Sequence, residues 1–474
     1  MNPLRQKIEQ EIRERGPIPF SRYMDVCLYD PDHGYYSRNA EQFGKAGDFY
    51  TSSDVHAVFG RLVARQFEEM WRVLGSPEKI AVVELGPGRG LFAQDVLDWS
   101  EKKFPEFFRA LRYVLVETSP PLRERIQTTL ARHLESGRAK LAALDFPSSE
   151  STVPSPIAVS SGLAVSSRIA VSSESAASSG SAVSSASTAS SGPAVPSGSP
   201  GVGAVGSSAP GFRGPGFCGP GFWAPGFWVA QRFSAANSSP SDARALAPEV
   251  PVILFANEFF DALPVEILSP QGSLRIAARD SHFLETWAPS SPEELEYLDR
   301  HSIHPEPGER VEAHLMAQQY MQHIASTIDR GFIIAIDYGY TRGEQLAGRH
   351  RGTLKAIRQH SVSANPYEAP GEQDITADVN FTALAAATEQ HGMRTQELIT
   401  QSQFLMGIGE ANQFADAFED CRLPQERAKV ALQLKHLVTP AGMGESFHVL
   451  VASKGVEEEK VAGLAGLTFG RRQD

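Results

Sequence analysis

The chain has 474 residues, 44 of them lysine or arginine and 56 aspartate or glutamate, which gives a formal net charge of −12. That length fits roughly two or three domain-sized units, and the acidic balance argues against nucleic-acid binding, because a phosphate backbone selects for basic surfaces. The three cysteines are widely spaced and form no CxxC pair, which argues against a disulfide scaffold or a zinc ribbon.

The beginning of the chain and its apolar runs predict the location. The first residues lack an apolar core and carry acidic side chains, unlike a secretory signal or a transit peptide. The longest apolar runs, 252–256 and 332–336, are far shorter than the ~20 residues of a membrane-spanning helix. We therefore expect a cytoplasmic protein without a membrane association.

Helical and strand-like patterns alternate along the chain. A first helix is expected from Asn2 to Gly16 and a second from Ser53 or Asp54 to Gly75, because apolar residues recur in both with a 3.6-residue period. This alternation predicts an α/β fold with a mainly parallel sheet. The predicted strands are 80–85, 113–116, 252–256, 332–336 and 447–452, and the helices between them are 91–99, 121–134, 310–328 and 381–390.

The segment 147–226 differs in composition from its flanks. Its 80 residues hold four charged side chains, with AVSS repeats near one end and PGF repeats every five residues near the other. Such a segment cannot bury enough apolar surface to offset chain entropy, so we predict a disordered insertion, although its aromatic residues could contact a partner. The predicted organisation is an N-terminal cap with half of a domain over 1–146, the insertion, and the second half over 227–474.

The most informative local pattern follows the first predicted strand. That strand ends in Glu84 and leads into Gly86, Gly88 and Gly90 at the start of a helix. Glycines at this point permit positive φ and close approach of a ligand, and ligands of such sheets bind beyond the carboxyl ends of the strands. The next strand ends at Glu117, whose carboxylate can accept both hydroxyl protons of a ribose. The pattern indicates a nucleoside-containing ligand.

Two nucleoside cofactors compete for this turn. The dinucleotide fingerprint needs a small third residue to pack the helix on the strand, whereas Leu91 occupies that position. Glu84 would repel a pyrophosphate but can meet an ammonium group. The residues therefore favour S-adenosyl-L-methionine, whose amino-acid end carries an ammonium, over NAD.

Seven short motifs occur in a fixed order: GDFYTSSD at 47–54, ELGPGRG at 84–90, VETS at 116–119, ANEFFDALP at 256–264, DYG at 337–339, GTL at 352–354 and DIT at 374–376. Together they resemble the MidA-like class I S-adenosyl-L-methionine-dependent methyltransferases, over nearly the whole chain except 147–226. That family includes the mitochondrial complex I assembly methyltransferase, which dimethylates an arginine of a core subunit.

The resemblance implies a Rossmann-like class I methyltransferase fold. We expect a seven-stranded, mostly parallel sheet with an antiparallel edge strand near 447–452, and the family's third strand near 228–233, after the insertion. An N-terminal helical cap and a helical insert between 351 and 378 would shape the substrate side. The resemblance also implies that the segment with Tyr50 and Thr51 folds over the cofactor, although nearby side chains could simply cap the next helix.

Carboxylates follow the strand at 252–256, which in this fold ends beside the transferable methyl group. Asn257, Glu258 and Asp261 lie there, and Asp337 ends another strand at the same edge. A guanidinium stays protonated at ordinary pH and needs carboxylates to hold it. We therefore predict methylation of an arginine in a protein partner, with Glu258 and Asp261 as the main candidates, although either could cap a helix or pair with a buried arginine.

Two other functions stay open at this point. One is an assembly factor that binds S-adenosyl-L-methionine but acts mainly through partner contact, and the other is an NAD-dependent oxidoreductase, which Leu91 and Glu84 disfavour. The expected partner is a protein with an exposed arginine, for which a subunit of respiratory complex I is one candidate. No metal site is expected, because the histidines lack spacings such as HExxH.

Overall fold

The computed structural model describes residues 2–38, 57–142, 250–280, 282–301, 303–346, 352–359, 361–363, 365–410 and 412–469. The strands are β1 (Ile18–Pro19), β2 (Ile80–Leu85), β3 (Leu111–Val116), β4 (Ala139–Ala142), β5 (Val252–Asn257), β6 (Glu266–Ser269), β7 (Gly272–Arg279), β8 (His282–Ala288), β9 (Val311–Ala313), β10 (Gly331–Tyr340), β11 (Lys355–Arg358), β12 (Ser361–Ser363), β13 (Asp374–Thr376), β14 (Val379–Asn380), β15 (Arg394–Thr395), β16 (Ile399–Thr400) and β17 (Phe447–Lys454).

The helices are α1 (Pro3–Arg15), α2 (Phe20–Tyr29), α3 (Ala57–Val73), α4 (Leu91–Lys103), α5 (Pro105–Ala110), α6 (Pro120–Thr129), α7 (Ala131–Glu135), α8 (Pro292–His301), α9 (Leu315–Thr327), α10 (Arg342–Leu346), α11 (Phe381–Glu389), α12 (Gln401–Glu410), α13 (Ala415–Phe418), α14 (Pro424–Val438), α15 (Glu458–Ala462) and α16 (Ala465–Thr468). A 3₁₀ turn spans Tyr35–Ser37.

A mixed sheet forms the centre of the described chain. Strands β4, β3, β2, β5 and β10 lie side by side in parallel, and β17 runs antiparallel to β10. Alternate residues of each strand face opposite sides, so Val82 and Ile334 join one apolar cluster while Val83 and Ile333 join the other. Both faces are therefore buried, which explains why these strands appear in the sequence as nearly continuous apolar runs.

The α/β class is confirmed, but the sheet differs from the predicted seven strands. The central sheet has nine strands among the described residues, because the two-residue strands β14, β15 and β16 add to the six longer strands. Strand β17 is not at the edge, since β15 and β16 pair along its outer side. Pairings of two residues are too short to produce a periodic pattern, so the sequence could not reveal them.

A second, antiparallel sheet was not predicted. It has the order β1-β7-β6-β9, with β8 paired to β7. Helices α1 and α2 pack beside it, where Leu4 and Phe20 share an apolar cluster with Leu274. The first helix is confirmed, with the side chain of Asn2 accepting from the backbone N of Arg5 at 3.1 Å. The helix predicted over 310–328 is wrong at its start, where β9 precedes α9.

The predicted helical insert between 351 and 378 is wrong. Its described residues form no helix; they form the antiparallel sheet β12-β11-β13. β-branched residues such as Ile357 and Ile375 favour strands, and Pro366 and Pro370 interrupt any helix in the connection between β12 and β13.

The strand expected near 228–233 lies outside the described residues, and so does the insertion 147–226. The expected start of the second helix, at residues 53–56, also lies outside them. On the side away from β2, β3 pairs with β4, which precedes the insertion in sequence. The division of the chain at 146 and 227 stays a prediction. Within the described residues, no helix combines the length and apolar character needed to cross a membrane.

Candidate active site

The glycine turn after β2 adopts the backbone conformation that only glycine takes without strain. Gly86, Gly88 and Gly90 have φ of 62°, 53° and 78°, in the left-handed region. The backbone N of Gly86 donates to the carbonyl of Val116 at 3.1 Å, which ties the turn to the end of β3. A Cβ at Gly86 would stand 3.0 Å from Cδ2 of Phe259. The turn therefore contacts the loop after β5 directly.

Glu84 is buried at the end of β2. One carboxylate oxygen accepts from the hydroxyl of Tyr113 at 2.8 Å. Burial raises the pKa of Glu84 to about 8; the charge of Glu117 acts in the same direction and the Tyr113 hydrogen bond acts against it. A nearby cation would favour the ionised form. Glu84 is thus a buried acid that an ammonium group could ionise.

Glu117 follows β3 and is also buried. Its Oε1 accepts from the backbone N of Ser119 at 2.8 Å, which fixes the carboxylate at the start of α6. Burial raises its pKa to about 7, opposed by the backbone hydrogen bonds and by the charge of Arg123. The guanidinium of Arg123 donates to the carbonyls of Glu117 and Ala142, which holds the ends of β3 and β4 together.

Asn257 and Glu258 form a strained corner at the end of β5. Glu258 has a φ of 52°, which is unusual for a residue with a side chain. The Nδ2 of Asn257 donates to Oε1 of Glu258 at 2.9 Å. Within the described part of the chain, the buried Oδ1 of Asn257 has no hydrogen-bonding partner. Strain and unpaired polar atoms of this kind concentrate at functional sites.

Asp337 of β10 holds the loop after β5 in place. Its Oδ2 accepts from the backbone N of Phe259, Phe260 and Asp261 at 3.2, 2.9 and 3.2 Å. Its Oδ1 accepts from the backbone N of Tyr338 at 2.9 Å. Burial raises the pKa of Asp337 well above its ordinary value, as do neighbouring carboxylates, whereas these N–H groups act against the shift. Both oxygens are therefore engaged with backbone.

Asp261 connects this loop to β13. Its Oδ2 accepts from the hydroxyl of Thr376 at 2.8 Å, and its carbonyl accepts from the backbone N of Ala377. Burial raises the pKa of Asp261 to about 6, while the Thr376 hydrogen bond lowers it. Its Oδ1 is buried and lacks a hydrogen-bonding partner of good geometry among the residues that the structure describes, although the backbone N–H groups of Ala262 and Asp261 also lower the pKa of the carboxyl group. That oxygen could accept from a cationic ligand.

Aromatic residues of the N-terminal segment line the same region. Tyr36 donates to Oδ1 of Asp374 at 3.1 Å, and its ring stacks on Tyr29 with centroids 5.6 Å apart. The hydroxyl of Tyr29 donates to the carbonyl of Ala262. These tyrosines were not among the predicted site residues, and their signal in the sequence is limited to the run Gly34-Tyr35-Tyr36. Tyr50 and Thr51, predicted to cover the cofactor, lie outside the described residues.

The other predicted site residues meet at one edge of the central sheet. Leu85 of β2 lies opposite Ala256 of β5, and Asn257 lies opposite Ile336 of β10. The parallel strands therefore deliver the glycine turn, Glu84, Glu117 and the loop 257–261 to the same side. Two carboxylates and a glycine turn suit a ligand with an ammonium and a ribose better than one with a pyrophosphate.

Comparisons with known proteins identify the family of this chain. The family model for S-adenosyl-L-methionine-dependent methyltransferases matches residues 62–162 and 230–399, more than half of the chain. The mitochondrial protein arginine methyltransferase NDUFAF7 homolog of Drosophila melanogaster is 27% identical over 473 residues, which cover 96% of this chain and 85% of that protein. Its counterpart in Rattus norvegicus is 24% identical over 470 residues, which cover 94% and 84%.

A solved structure supports the fold. A protein of Burkholderia thailandensis, bound to S-adenosyl-homocysteine, superposes with a TM-score of 0.66 at 22% sequence identity, covering 99% of this chain and 94% of that chain.

The cytoplasmic location predicted from the sequence is wrong. The relatives from Drosophila melanogaster, Rattus norvegicus and Danio rerio are all named as mitochondrial proteins, which points to mitochondria instead. Composition and the length of apolar runs describe how a chain meets water and lipid, and they carry no information about which aqueous compartment it occupies.

Proposed function

The chain belongs to the MidA-like family of S-adenosyl-L-methionine-dependent methyltransferases and uses S-adenosyl-L-methionine as methyl donor, and from this premise we propose that it methylates an arginine side chain of a protein partner. The observation that carries the proposal is the loop 257–261, which contains Glu258 and Asp261 and whose Phe259 lies against the glycine turn. The relatives named as protein arginine methyltransferases support the same substrate class.

The cofactor would be held by residues at the ends of β2 and β3. The backbone of Gly86, Gly88 and Gly90 can approach its methionine portion, because these positions carry no side chain. Glu84 would meet the ammonium group, and Glu117 would accept from the ribose hydroxyls. The cofactor supplies a methyl group on a positively charged sulfur, so the protein has mainly to bind and align the acceptor nitrogen.

The substrate would be held by carboxylates of the loop after β5. Glu258 and Oδ1 of Asp261 can accept from two guanidinium N–H groups, which orients one nitrogen. The methylated nitrogen must lose a proton, and a carboxylate with a pKa of about 6, as at Asp261, can accept it near neutral pH. We assign Asp337 a positioning role, because its carboxylate contacts backbone N–H groups of this loop.

A mitochondrial partner fits the relatives' location, and we propose a subunit of respiratory complex I as the first candidate, following the family resemblance. The relatives give no support to an NAD-dependent oxidoreductase or to an assembly factor without methyl transfer.

The test compares Glu258→Gln, Asp261→Asn and the exposed control Glu293→Gln. Purified variants are given tritiated S-adenosyl-L-methionine and a mitochondrial extract, labelled proteins are mapped by peptide mass spectrometry, and cofactor affinity is measured by calorimetry. Losing a hydrogen bond to a charged group costs about 1.5–3 kcal/mol, so at least one site variant should transfer methyl groups roughly 10- to 150-fold more slowly. The control should match the parent.

Three outcomes would count against the proposal. Parental rates in both site variants would make these carboxylates structural. Loss of cofactor binding in both site variants would show that the loop 257–261 belongs to the cofactor pocket. Label found on lysine or on another residue type, with none on arginine, would exclude the substrate class.

A further inference from the structure

Tyr36 stands between the two halves of the site. It lies in the 3₁₀ turn Tyr35–Ser37, between the N-terminal helices and residues 39–56, which the structure does not describe. Its side chain is partly buried, and its backbone and its hydroxyl group bond to different elements.

On the cofactor side, the contact is made by the backbone. The carbonyl of Tyr36 accepts from the hydroxyl of Ser119 at 2.6 Å. Ser119 caps α6, and its backbone N donates to the carboxylate of Glu117 at 2.8 Å. Tyr36 is therefore hydrogen-bonded to Ser119, which orients Glu117, the residue proposed to bind the ribose.

On the substrate side, the contact is made by the side chain. The hydroxyl of Tyr36 donates to Asp374, the first residue of β13, at 3.1 Å. Two residues later in the same strand, Thr376 donates to Asp261 at 2.8 Å. Residues i and i+2 of a strand face the same side, so Asp374 and Thr376 present their side chains together. The ring of Tyr29 stacks on Tyr36, and its hydroxyl donates to the carbonyl of Ala262, the residue after Asp261.

We propose that Tyr36 is a positioning residue that couples the cofactor edge of the sheet to the carboxylates of the substrate side. This rests on the proposed function, because it assumes that Asp261 binds substrate. The main-chain bond to Ser119 places Tyr36 when α6 is ordered, and the hydroxyl of Tyr36 then holds the side chain of Asp374. Cofactor that orders Glu117 and α6 would thereby order β13 and the Asp261–Thr376 pair.

The variant Tyr36→Phe separates the two contacts. It keeps the main-chain bond to Ser119 and the ring stack, and it removes only the hydroxyl that reaches Asp374. Tyr23→Phe is the matched control, since it also removes one phenol hydroxyl from the N-terminal segment, there bonded to the carbonyl of Pro366. Both variants should bind S-adenosyl-homocysteine within about twofold of the parent, because neither change touches the glycine turn.

The first readout needs no substrate. Hydrogen exchange followed by mass spectrometry, with and without S-adenosyl-homocysteine, reports on the backbone of β13. In the parent and in Tyr23→Phe, the ligand should slow exchange at 374–376 about five- to tenfold, the range of ordinary coupling between sites. In Tyr36→Phe that effect should disappear, while protection at 84–90 and 117–123 persists.

The second readout is methyl transfer to a glycine- and arginine-rich peptide. Tyr36→Phe should lower kcat/KM about tenfold with unchanged cofactor affinity, and Tyr23→Phe should behave as the parent. Equal ligand-dependent protection of 374–376 in Tyr36→Phe and parent, or none in the parent, would overturn the coupling. If the protection follows Tyr36 but no variant methylates arginine, the arginine proposal fails and the coupling stands.

Discussion

The buried acid at the end of β2 is expected to oppose folding and to favour cofactor binding. Glu84 is 5% exposed, and its pKa of about 8 means that the folded protein keeps it neutral at pH 7. In the unfolded chain a glutamate ionises near its ordinary value of 4.5. The variant Glu84→Gln removes this titration and keeps an oxygen that can accept from Tyr113.

The magnitude follows from the two pKa values. Between pH 4.5 and pH 7.4 the unfolded chain loses a proton that the folded protein retains, at about 1.4 kcal/mol per pH unit, so the parent loses about 4 kcal/mol of stability. Because the pKa of Glu84 is raised in the folded state, its contribution to the free energy of unfolding is fully present below pH 4.5 and is lost as pH rises to about 8. Glutamine avoids this loss, but its buried amide N–H groups cost about 1–3 kcal/mol. We expect Glu84→Gln to be about 1–3 kcal/mol more stable than the parent at pH 8.

The assay is urea unfolding at pH 5 and pH 8, with calorimetry for S-adenosyl-homocysteine. Asp95→Asn is the control, because burial raises the pKa of Asp95 to about 7 and its side chain faces Gly60 of α3. Both variants should lose less stability than the parent between the two pH values. Only Glu84→Gln should bind the ligand about 10- to 150-fold more weakly, because it loses a charge-assisted contact to the ammonium group. In the parent, binding near pH 7 should release a proton.

An unchanged pH dependence in Glu84→Gln would refute the assignment of a neutral Glu84 to the folded protein. Undiminished affinity for S-adenosyl-homocysteine would refute its place at the ammonium group.

Gly86→Ala should weaken S-adenosyl-homocysteine binding at least about tenfold, because its Cβ would stand 3.0 Å from the ring of Phe259 at a φ of 62°. Gly75→Ala is the control: Gly75 has a φ of 85°, and no described atom lies within 4 Å of the new Cβ, so this variant carries similar backbone strain, about 1–2 kcal/mol, without a steric contact. Equal affinities of the two variants in calorimetry would contradict this prediction. Asp337→Asn should lower the free energy of unfolding by about 1–3 kcal/mol, since the amide nitrogen would face a backbone N–H group in either orientation of the side chain; a loss below about 1 kcal/mol in urea unfolding would exclude this role.

The central strands and the glycine turn could be predicted from the local sequence. Strands β2, β5 and β10 are buried on both faces, so each appears as a continuous apolar run that differs from the 3.6-residue period of the helices. The turn after β2 could be recognised because positive φ at three alternate positions demands glycine, and that demand is written locally.

The contacts of Asp261 and of Tyr36 depend on tertiary structure. Asp261 meets Thr376 across 115 positions, and Tyr36 meets Asp374 across 338. Single hydrogen bonds between distant segments leave no periodic or compositional trace, so the sequence could not pair these residues. The antiparallel strands β11 to β13 likewise depend on cross-strand partners, and this is why a helix was expected where a sheet forms.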